Sequence, residues 1–242
     1  MDPRLNSLTL KKLLRALADL LMPRVCVVCG RQLLDCEQDL CVGCRSELPL
    51  TLFWDLPRNP MADRFNALVE APAYVHAAAL FYYSGDYSNI TRALKYRRNF
   101  GCGRRMARQL GERLAAAGWT PELVCCVPLH WTRRWKRGYN QAEVIGREVA
   151  AALGARFEPR LLRRVRRTGS QTRLLAEERL ANVAKAFEIR PGLLSGLKAG
   201  AGILIIDDVF TTGATLAACY SAVYKVVGDS VRISVATLAF AG

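Results

Sequence analysis

Short apolar runs alternate with longer amphipathic segments along most of the 242-residue chain. Apolar runs between turn residues indicate buried strands at 122–129, 201–207 and 230–240. Apolar positions at helical spacing predict helices at 140–153, 174–187 and 214–227. Strands that alternate with helices are joined by right-handed crossovers, which build a mainly parallel sheet. The pattern therefore predicts an α/β domain over residues 65–242.

The pattern is less regular in the segments around these elements. Residues 67–87 indicate two strands that end in a turn at Ser84–Asp86, and residues 156–162 indicate one short strand. Residues 89–117 favour a helix, and the glycine-rich stretch Gly101–Gly103 predicts an interruption in it.

The first 23 residues are leucine-rich and predict one amphipathic helix that ends at Pro23. Charged residues interrupt it, so the segment is too polar for the core of a signal peptide and too short to span a bilayer. Two interpretations stay open, a helix that docks on the chain's own core and a helix that lies on a membrane surface. We expect no membrane-spanning segment and infer a cytoplasmic protein.

Two CxxC pairs, Cys26 with Cys29 and Cys41 with Cys44, occur in a turn-rich module that we assign to residues 24–56. Two such pairs can place four thiolates around Zn²⁺ in a tetrahedron. A redox pair or thiols without a function are the alternatives, but redox CxxC motifs normally begin a helix in a thioredoxin-like βαβ pattern, which is missing here. We predict a structural, non-catalytic zinc site, with Cys36 as an alternative ligand.

The stretch ILIIDDVFTTGAT at 203–215 carries the clearest chemical signal. An apolar strand leads into Asp207 and Asp208, and ligands of open α/β sheets bind at the carboxyl ends of strands. A helix is expected to begin at Thr212–Ala214, where unpaired N–H groups and the helix dipole favour a phosphate group. The pattern predicts a sugar-phosphate site, in which carboxylates accept hydrogen bonds from ribose hydroxyls and the loop holds the phosphate.

Two other interpretations of the aspartate pair are open. The pair could form a helix-capping turn, although this does not explain the small polar run that follows it. It could also bind only a metal ion, although no third acidic ligand stands nearby in sequence.

Charge and composition narrow the class of ligand. The chain has 35 Lys+Arg against 21 Asp+Glu, a formal net charge of +14, which favours nucleic acid, phosphorylated metabolites or an anionic membrane surface. A solvated basic surface with no single partner is the alternative. The 51% hydrophobic content excludes a disordered chain.

Residues 203–215 resemble the PRPP-binding motif of the type I phosphoribosyltransferases. The blocks at 127–150 and 161–187, the CxxC doublet and ALKYRRNFGCGRRMARQL resemble the ComF/GntX family of competence-related proteins. The resemblance covers most of the chain from Arg24 onward. Some members carry further cysteine pairs, but residues 57–74 have none, so a second metal site is not expected.

The resemblance implies a type I phosphoribosyltransferase-like fold behind a small zinc module. The implied activity is PRPP-dependent phosphoribosyl transfer, linked to DNA uptake in natural transformation and to the use of external DNA or nucleotide salvage. Mg²⁺ would accompany PRPP. Sheet folds of this kind often pair, so a homodimer is expected.

The same resemblance implies roles for individual residues. Asp207 and Asp208 would contact the ribose hydroxyls as the catalytic pair, and Val127–Leu129 would form the pyrophosphate loop. The 5′-phosphate would be held by Thr211, Thr212, Gly213, Ala214 and Thr215. Residues on or near a mobile flap, and the motif that follows them, would be Arg133, Arg134, Lys136, Arg137, Gly138, Asn140 and Gln141. Family positions without an assigned role are matched by Gln171, Arg179 and Asn182.

A second function stays open, a non-catalytic single-stranded DNA-binding or accessory protein of the competence machinery, with a competence helicase as partner. Its local support is the basic segments at 95–108 and 160–173. Aromatic residues available for base stacking are Tyr96, Phe100, Trp131, Trp135 and Tyr139. The same arginines could instead bind the phosphates of PRPP, contact a partner protein or be solvated.

Overall fold

The computed structural model describes residues 23–96, 99–129, 131–165 and 186–242. The chain divides into two compact units, the first ending at Leu48 and the second spanning Pro49–Gly242. The expected helices at 1–22 and 174–185 lie outside the described residues. So do Gln171, Arg179 and Asn182.

The described part of the first unit is a small turn-rich module. It contains one short helix, α1 (Val42–Ser46), and an isolated bridge between Val25 and Gln32. The buried Glu37 carboxylate accepts hydrogen bonds from the backbone N–H groups of Leu34 at 2.8 Å and Val42 at 2.7 Å. This carboxylate therefore joins the first loop of the module to its helix.

A five-stranded parallel sheet forms the centre of the second unit, in the order β1-β7-β6-β2-β3. Strands β4 and β5 form a separate antiparallel pair. The strands are β1 (Ala77–Tyr82), β2 (Leu123–Cys126), β3 (Arg156–Phe157), β4 (Leu162–Arg164), β5 (Phe187–Ile189), β6 (Gly202–Phe210) and β7 (Arg232–Phe240). The predicted α/β class with a mainly parallel sheet is confirmed.

Six helices connect and cover these strands in the described part of the second unit. They are α2 (Pro60–Asn66), α3 (Ser88–Tyr96), α4 (Phe100–Ala116), α5 (Trp131–Arg137), α6 (Gln141–Leu153) and α7 (Ala214–Val227). Short 3₁₀ turns lie at Phe53–Asp55, Gly85–Tyr87, Pro191–Leu194 and Gly228–Ser230. The apolar runs of β6 and β7 are buried, as expected for central strands covered on both faces.

Helices α4 and α6 pack closely, because Gly111 lets the two backbones approach. A Cβ atom at Gly111 would lie 3.1 Å from the Val149 Cα atom and 2.6 Å from the Ala152 Cβ atom. Asparagine side chains cap both helices at their N-termini, Asn99 on α4 and Asn140 on α6.

Two local expectations are wrong. Residues 67–87 contain one strand and not two, because Asn66 exchanges hydrogen bonds with Val75 (2.8 and 2.9 Å) and draws the chain between them into a loop. Gly101–Gly103 does not interrupt a helix but lies in the first turn of α4. Gly103 is needed there because a Cβ atom would lie 2.7 Å from the Leu94 side chain of α3.

Among the described residues, no helix combines the length and the apolar character that crossing a bilayer requires.

Candidate functional site

Strand β6 places the two aspartates, but it does not end at them as expected. The strand continues to Phe210 and stays in register with β7, where Asp207 pairs with Thr237 and Phe210 pairs with Phe240. The aspartates therefore lie near the end of a central strand, which pairs with β7 on one side. Their backbone is fixed before any ligand arrives.

The loop after β6 turns at a glycine with a left-handed backbone conformation. Gly213 has a φ of 78° and caps the 14-residue helix α7, which begins at Ala214. A Cβ atom at Gly213 would lie 2.6 Å from the Phe210 ring and 2.8 Å from Leu68. Any other residue would be both strained and obstructed there. The exposed Thr211 and Thr212 and the half-buried Thr215 surround this turn with hydroxyl groups.

The Asp207 carboxyl group has a raised pKa. Burial and the neighbouring charge of Asp208 raise the pKa of Asp207 to about 8. The backbone N–H of Asp208 donates to Asp207 Oδ1 at 2.8 Å, which partly opposes this shift. Asp207 therefore keeps its proton to a higher pH than an ordinary aspartate does.

Lys95 belongs to the site although the sequence did not single it out. It lies in the last turn of α3, and its Nζ atom is 2.7 Å from Asp208 Oδ2. Both side chains are mostly buried, with exposed fractions of 23% for Lys95 and 15% for Asp208. Its only sequence signal was its position in the segment ALKYRRNFGCGRRMARQL, which resembles the competence-related family.

The end of β2 lies beside the end of β6, because the Val127 N–H donates to the Ile206 carbonyl at 2.9 Å. Asn140 joins the start of α6 to this strand end by donating to the Val127 carbonyl at 3.0 Å. The structure thus brings the expected pyrophosphate loop next to the aspartates. It holds Asn140 in a bridging position that local sequence could not predict.

Gln141 and Arg137 form a pair at the start of α6. Arg137 Nη1 donates to Gln141 Oε1 at 3.0 Å, and the Arg137 guanidinium lies 5.3 Å from the Tyr96 ring centroid. Gln141 is 3% exposed, and its Nε2 atom has no hydrogen-bond partner among the described residues. An amide donor buried in this way fits a ligand acceptor.

The basic residues expected on or near a mobile flap lie in helix α5, whose seven residues include Arg133 and Arg137. Beyond it, a small pocket of about 200 Å³ opens between α4, α5 and α6. Its lining includes Arg104, Arg134, Tyr139, Glu143 and Arg147. Arg134 and Arg147 lie 4.0 and 3.8 Å from the Glu143 carboxylate, so this pocket is basic but partly neutralised.

The four predicted metal ligands of the first unit lie together. The Sγ atoms of Cys26, Cys29, Cys41 and Cys44 all lie within 4.8 Å of one another, and Cys29 Sγ is 3.8 Å from Cys41 Sγ. Tetrahedral zinc with Zn–S bonds of about 2.3 Å requires S–S separations of about 3.8 Å. The cluster therefore fits a metal ion such as zinc.

Two backbone N–H groups also point at sulfur atoms of the cysteine cluster. The Cys41 N–H points to Cys26 Sγ and the Cys44 N–H to Cys41 Sγ, both at 3.4 Å. The second contact lowers the pKa of the Cys41 thiol to about 7. Cys36 is exposed and lies outside the cluster. The other four cysteines are buried, namely Cys102, Cys125, Cys126 and Cys219.

The chain is similar in sequence to two kinds of bacterial protein. The chain is 27% identical over 208 residues to DNA utilization protein YhgH of Salmonella typhi, covering 82% of this chain and 89% of that protein. It is 27% identical over 200 residues to competence protein F of Haemophilus influenzae, covering 79% of this chain and 86% of that protein. The resemblance to the ComF family is confirmed. No family model matches the chain.

Two solved structures match part of this chain. Adenine phosphoribosyltransferase from Leishmania tarentolae is 16% identical, with a TM-score of 0.33, and the match covers 70% of this chain and 79% of that one. The enzyme from Leishmania donovani is 15% identical, with a TM-score of 0.34 and coverages of 75% and 80%. At these TM-scores the assignment of the site rests on its own residues.

Proposed function

We propose that the chain binds PRPP, or a closely related sugar phosphate, at the end of β6 and acts as a phosphoribosyltransferase. The observation that carries this proposal is the pairing of Asp207 and Asp208 with the glycine-capped start of α7. Carboxylate oxygens accept from vicinal hydroxyls, while the helix start and threonine hydroxyls donate to a phosphate. A sugar phosphate carries both vicinal hydroxyls and a phosphate group.

Mg²⁺ would be bound together with PRPP. It prefers oxygen ligands and usually takes one or two protein carboxylates plus substrate phosphates. The two carboxyl groups at the end of β6 fit this donor set. The metal would neutralise charge on the diphosphate.

The transfer reaction would break the bond between C1 and the diphosphate through an oxocarbenium-like state, as in glycoside hydrolysis. The residues of this chain would hold the two ends of PRPP, so that the leaving group and the sugar separate in a fixed orientation. Gln141 and Arg137 adjoin the expected diphosphate loop and would donate hydrogen bonds to the leaving group.

Titration calorimetry with Mg²⁺-PRPP tests binding directly. Asp208→Asn should weaken binding by at least about tenfold, because it removes a charged acceptor. Asp229→Asn, which changes an exposed carboxylate after α7, is the matched control and should bind as the wild type does. An unchanged affinity in Asp208→Asn, or no heat with the wild type, would contradict the proposal.

We extend the biological setting of the named relatives to this chain as part of the proposal. Their names, DNA utilization protein and competence protein F, favour a role in DNA uptake and the use of external DNA. Two predictions remain, a competence helicase partner and a homodimer of the kind that such sheet folds often form. The zinc module would stabilise the first unit without catalysing.

Binding of single-stranded nucleic acid is a second candidate function, favoured by exposed aromatic residues beside arginines. Trp135 on α5 is 88% exposed and Tyr96 on α3 is 72% exposed. Phe100 and Tyr139 are less available for stacking, since their rings pack against each other at 4.7 Å. The side chains of Tyr96 and Trp135 thus suit stacking on bases, and the arginine pocket suits phosphates.

A further inference from the structure

Lys95 stands out because its ammonium group forms an ion pair with a carboxylate at the centre of the proposed site. The contact with Asp208 Oδ2 is 2.7 Å, and both groups are largely removed from water. A buried ion pair stabilises a fold only weakly, because the desolvation of both charges offsets their attraction. Stability alone is therefore a weak reason for a lysine at this position.

The hydrogen-bonding capacity of Lys95 exceeds what Asp208 uses. An ammonium group has three N–H donors, and one is directed at Asp208 Oδ2. An ammonium group paired with one carboxylate oxygen can still donate to a ligand group that lies beside Asp208. A ligand that places an anionic oxygen beside the hydroxyl bound by Asp208 would satisfy both residues at once.

The neighbours of Lys95 indicate which end of the ligand it would contact. The preceding residue, Leu94, accepts a hydrogen bond from the Tyr139 hydroxyl, and the following residue, Tyr96, lies against the Arg137 guanidinium. Lys95 is therefore on the side of the site formed by α5 and the start of α6. The 5′-phosphate loop contacts a different part of the fold, through Gly213 and Leu68.

We propose that Lys95 is a ligand-binding residue that contacts the anionic group on C1 of the sugar, the diphosphate in PRPP. This inference rests on the proposed function and adds a specificity element to it. Lys95 and the Arg137–Gln141 pair would enclose the diphosphate, and Gln141 Nε2 would supply a buried donor to it. The site would then distinguish a C1-diphosphorylated sugar from the same sugar with a free C1 hydroxyl.

The test compares two ligands that differ only at C1. Mg²⁺-PRPP and ribose 5-phosphate are titrated into the wild type, Lys95→Met, Lys95→Arg and the control Lys225→Met, an exposed lysine on α7. Lys95→Met should weaken PRPP binding by about 10- to 100-fold, the usual effect of removing a charged hydrogen bond, and ribose 5-phosphate binding by less than about threefold. Lys95→Arg should restore part of the PRPP affinity, and Lys225→Met should change neither.

The alternative outcomes are distinct. Equal losses for both ligands in Lys95→Met would overturn the contact with the diphosphate and show that Lys95 only positions Asp208. Unchanged or tighter PRPP binding would also overturn it, since Lys95 would then only neutralise Asp208 until a ligand displaces it. Failure of the wild type to bind either ligand would instead reject the proposed function, and this inference with it. Thermal unfolding of each variant verifies that a loss of affinity does not reflect a loss of fold.

Discussion

Asn140 Nδ2 donates to the Val127 carbonyl at 3.0 Å, while Asn140 Oδ1 accepts from the Ala142 N–H at 3.2 Å. One buried side chain therefore caps helix α6 and ties that helix to the end of strand β2. Because the Val127 N–H is bonded to Ile206 of β6, this link also fixes the expected diphosphate loop beside the aspartates.

Substitutions at Asn140 should separate its two roles. Asn140→Ser keeps a good capping oxygen but cannot reach Val127, so the buried carbonyl loses its donor and stability should fall by about 1–2 kcal/mol. Asn140→Ala loses the cap as well, so its stability should be lower by about 1 kcal/mol more. Urea denaturation measures both. Wild-type stability in Asn140→Ser would show that the bridge to Val127 contributes nothing.

The raised pKa of Asp207 should make folding stability depend on pH. An aspartate in an unfolded chain titrates near pH 4, whereas burial and Asp208 raise the pKa of Asp207 to about 8. Between these values the folded state retains a proton that the unfolded state has lost, so stability falls as pH rises from about 4 to about 8. The slope contributed by this group is at most about 1.4 kcal/mol per pH unit.

Asp207→Asn isolates this effect from the other titrating groups. The variant cannot ionise at this position, so its stability relative to the wild type should increase steadily from about pH 5 to about pH 8. Urea unfolding at several pH values gives the difference. A constant difference between the two proteins would mean that Asp207 titrates at an ordinary pKa.

Local sequence predicted the parts of the site that are local in the chain. The aspartates, Gly213 and the start of α7 follow one another within a few residues, and the cysteine pairs have a spacing typical of a metal site. Lys95 could not be predicted in this way, because its partner Asp208 is distant in sequence and only the sheet topology brings them together.

The wrong expectations have the same origin. Side chains from other elements decided whether Gly101–Gly103 interrupts a helix and whether residues 67–76 extend into a strand, and composition does not report such contacts. The extension of β6 through Asp207 and Asp208 likewise depends on pairing with β7, which lies far along the chain.

Because α4 and α6 are in close contact at Gly111, we expect any side chain at this position to lower the stability of the protein. Alanine normally favours a helix by about 1 kcal/mol over glycine, but here its Cβ atom would meet the backbone of Val149 at 3.1 Å. We expect Gly111→Ala to destabilise the protein by about 1–3 kcal/mol through overpacking. Gly192→Ala is the matched control, since a Cβ atom there has no neighbour within 4 Å. Equal stability of the two variants would contradict the packing argument.

The cysteine cluster predicts one zinc ion per chain, held by four thiolates. Cys41→Ser should lose the metal, because this thiol lies between two others and has a lowered pKa. Cys36→Ser should retain it, since Cys36 lies outside the cluster. Metal analysis and the absorption spectrum of the cobalt-substituted protein measure occupancy and ligand type. Loss of metal in Cys36→Ser would show that Cys36 is a metal ligand.

The exposed aromatic and basic residues on α5 predict two different effects on single-stranded DNA binding. Trp135→Ala should weaken binding by about 1–3 kcal/mol without changing its salt dependence, because stacking does not release counterions. Arg134→Ala should weaken binding and reduce the magnitude of the salt slope by about one, as expected when one phosphate contact is lost. Fluorescence anisotropy with a short oligonucleotide at several salt concentrations separates these effects.

Arg232→Ala provides the control for this surface, because this exposed arginine begins β7 at the opposite end of the sheet from the aspartates. It should bind DNA as the wild type does if the interaction is local to α5. Equal weakening by Arg134→Ala and Arg232→Ala would mean that DNA responds only to the overall positive charge. Unchanged binding in Trp135→Ala would mean that stacking on this exposed side chain has no part in recognition.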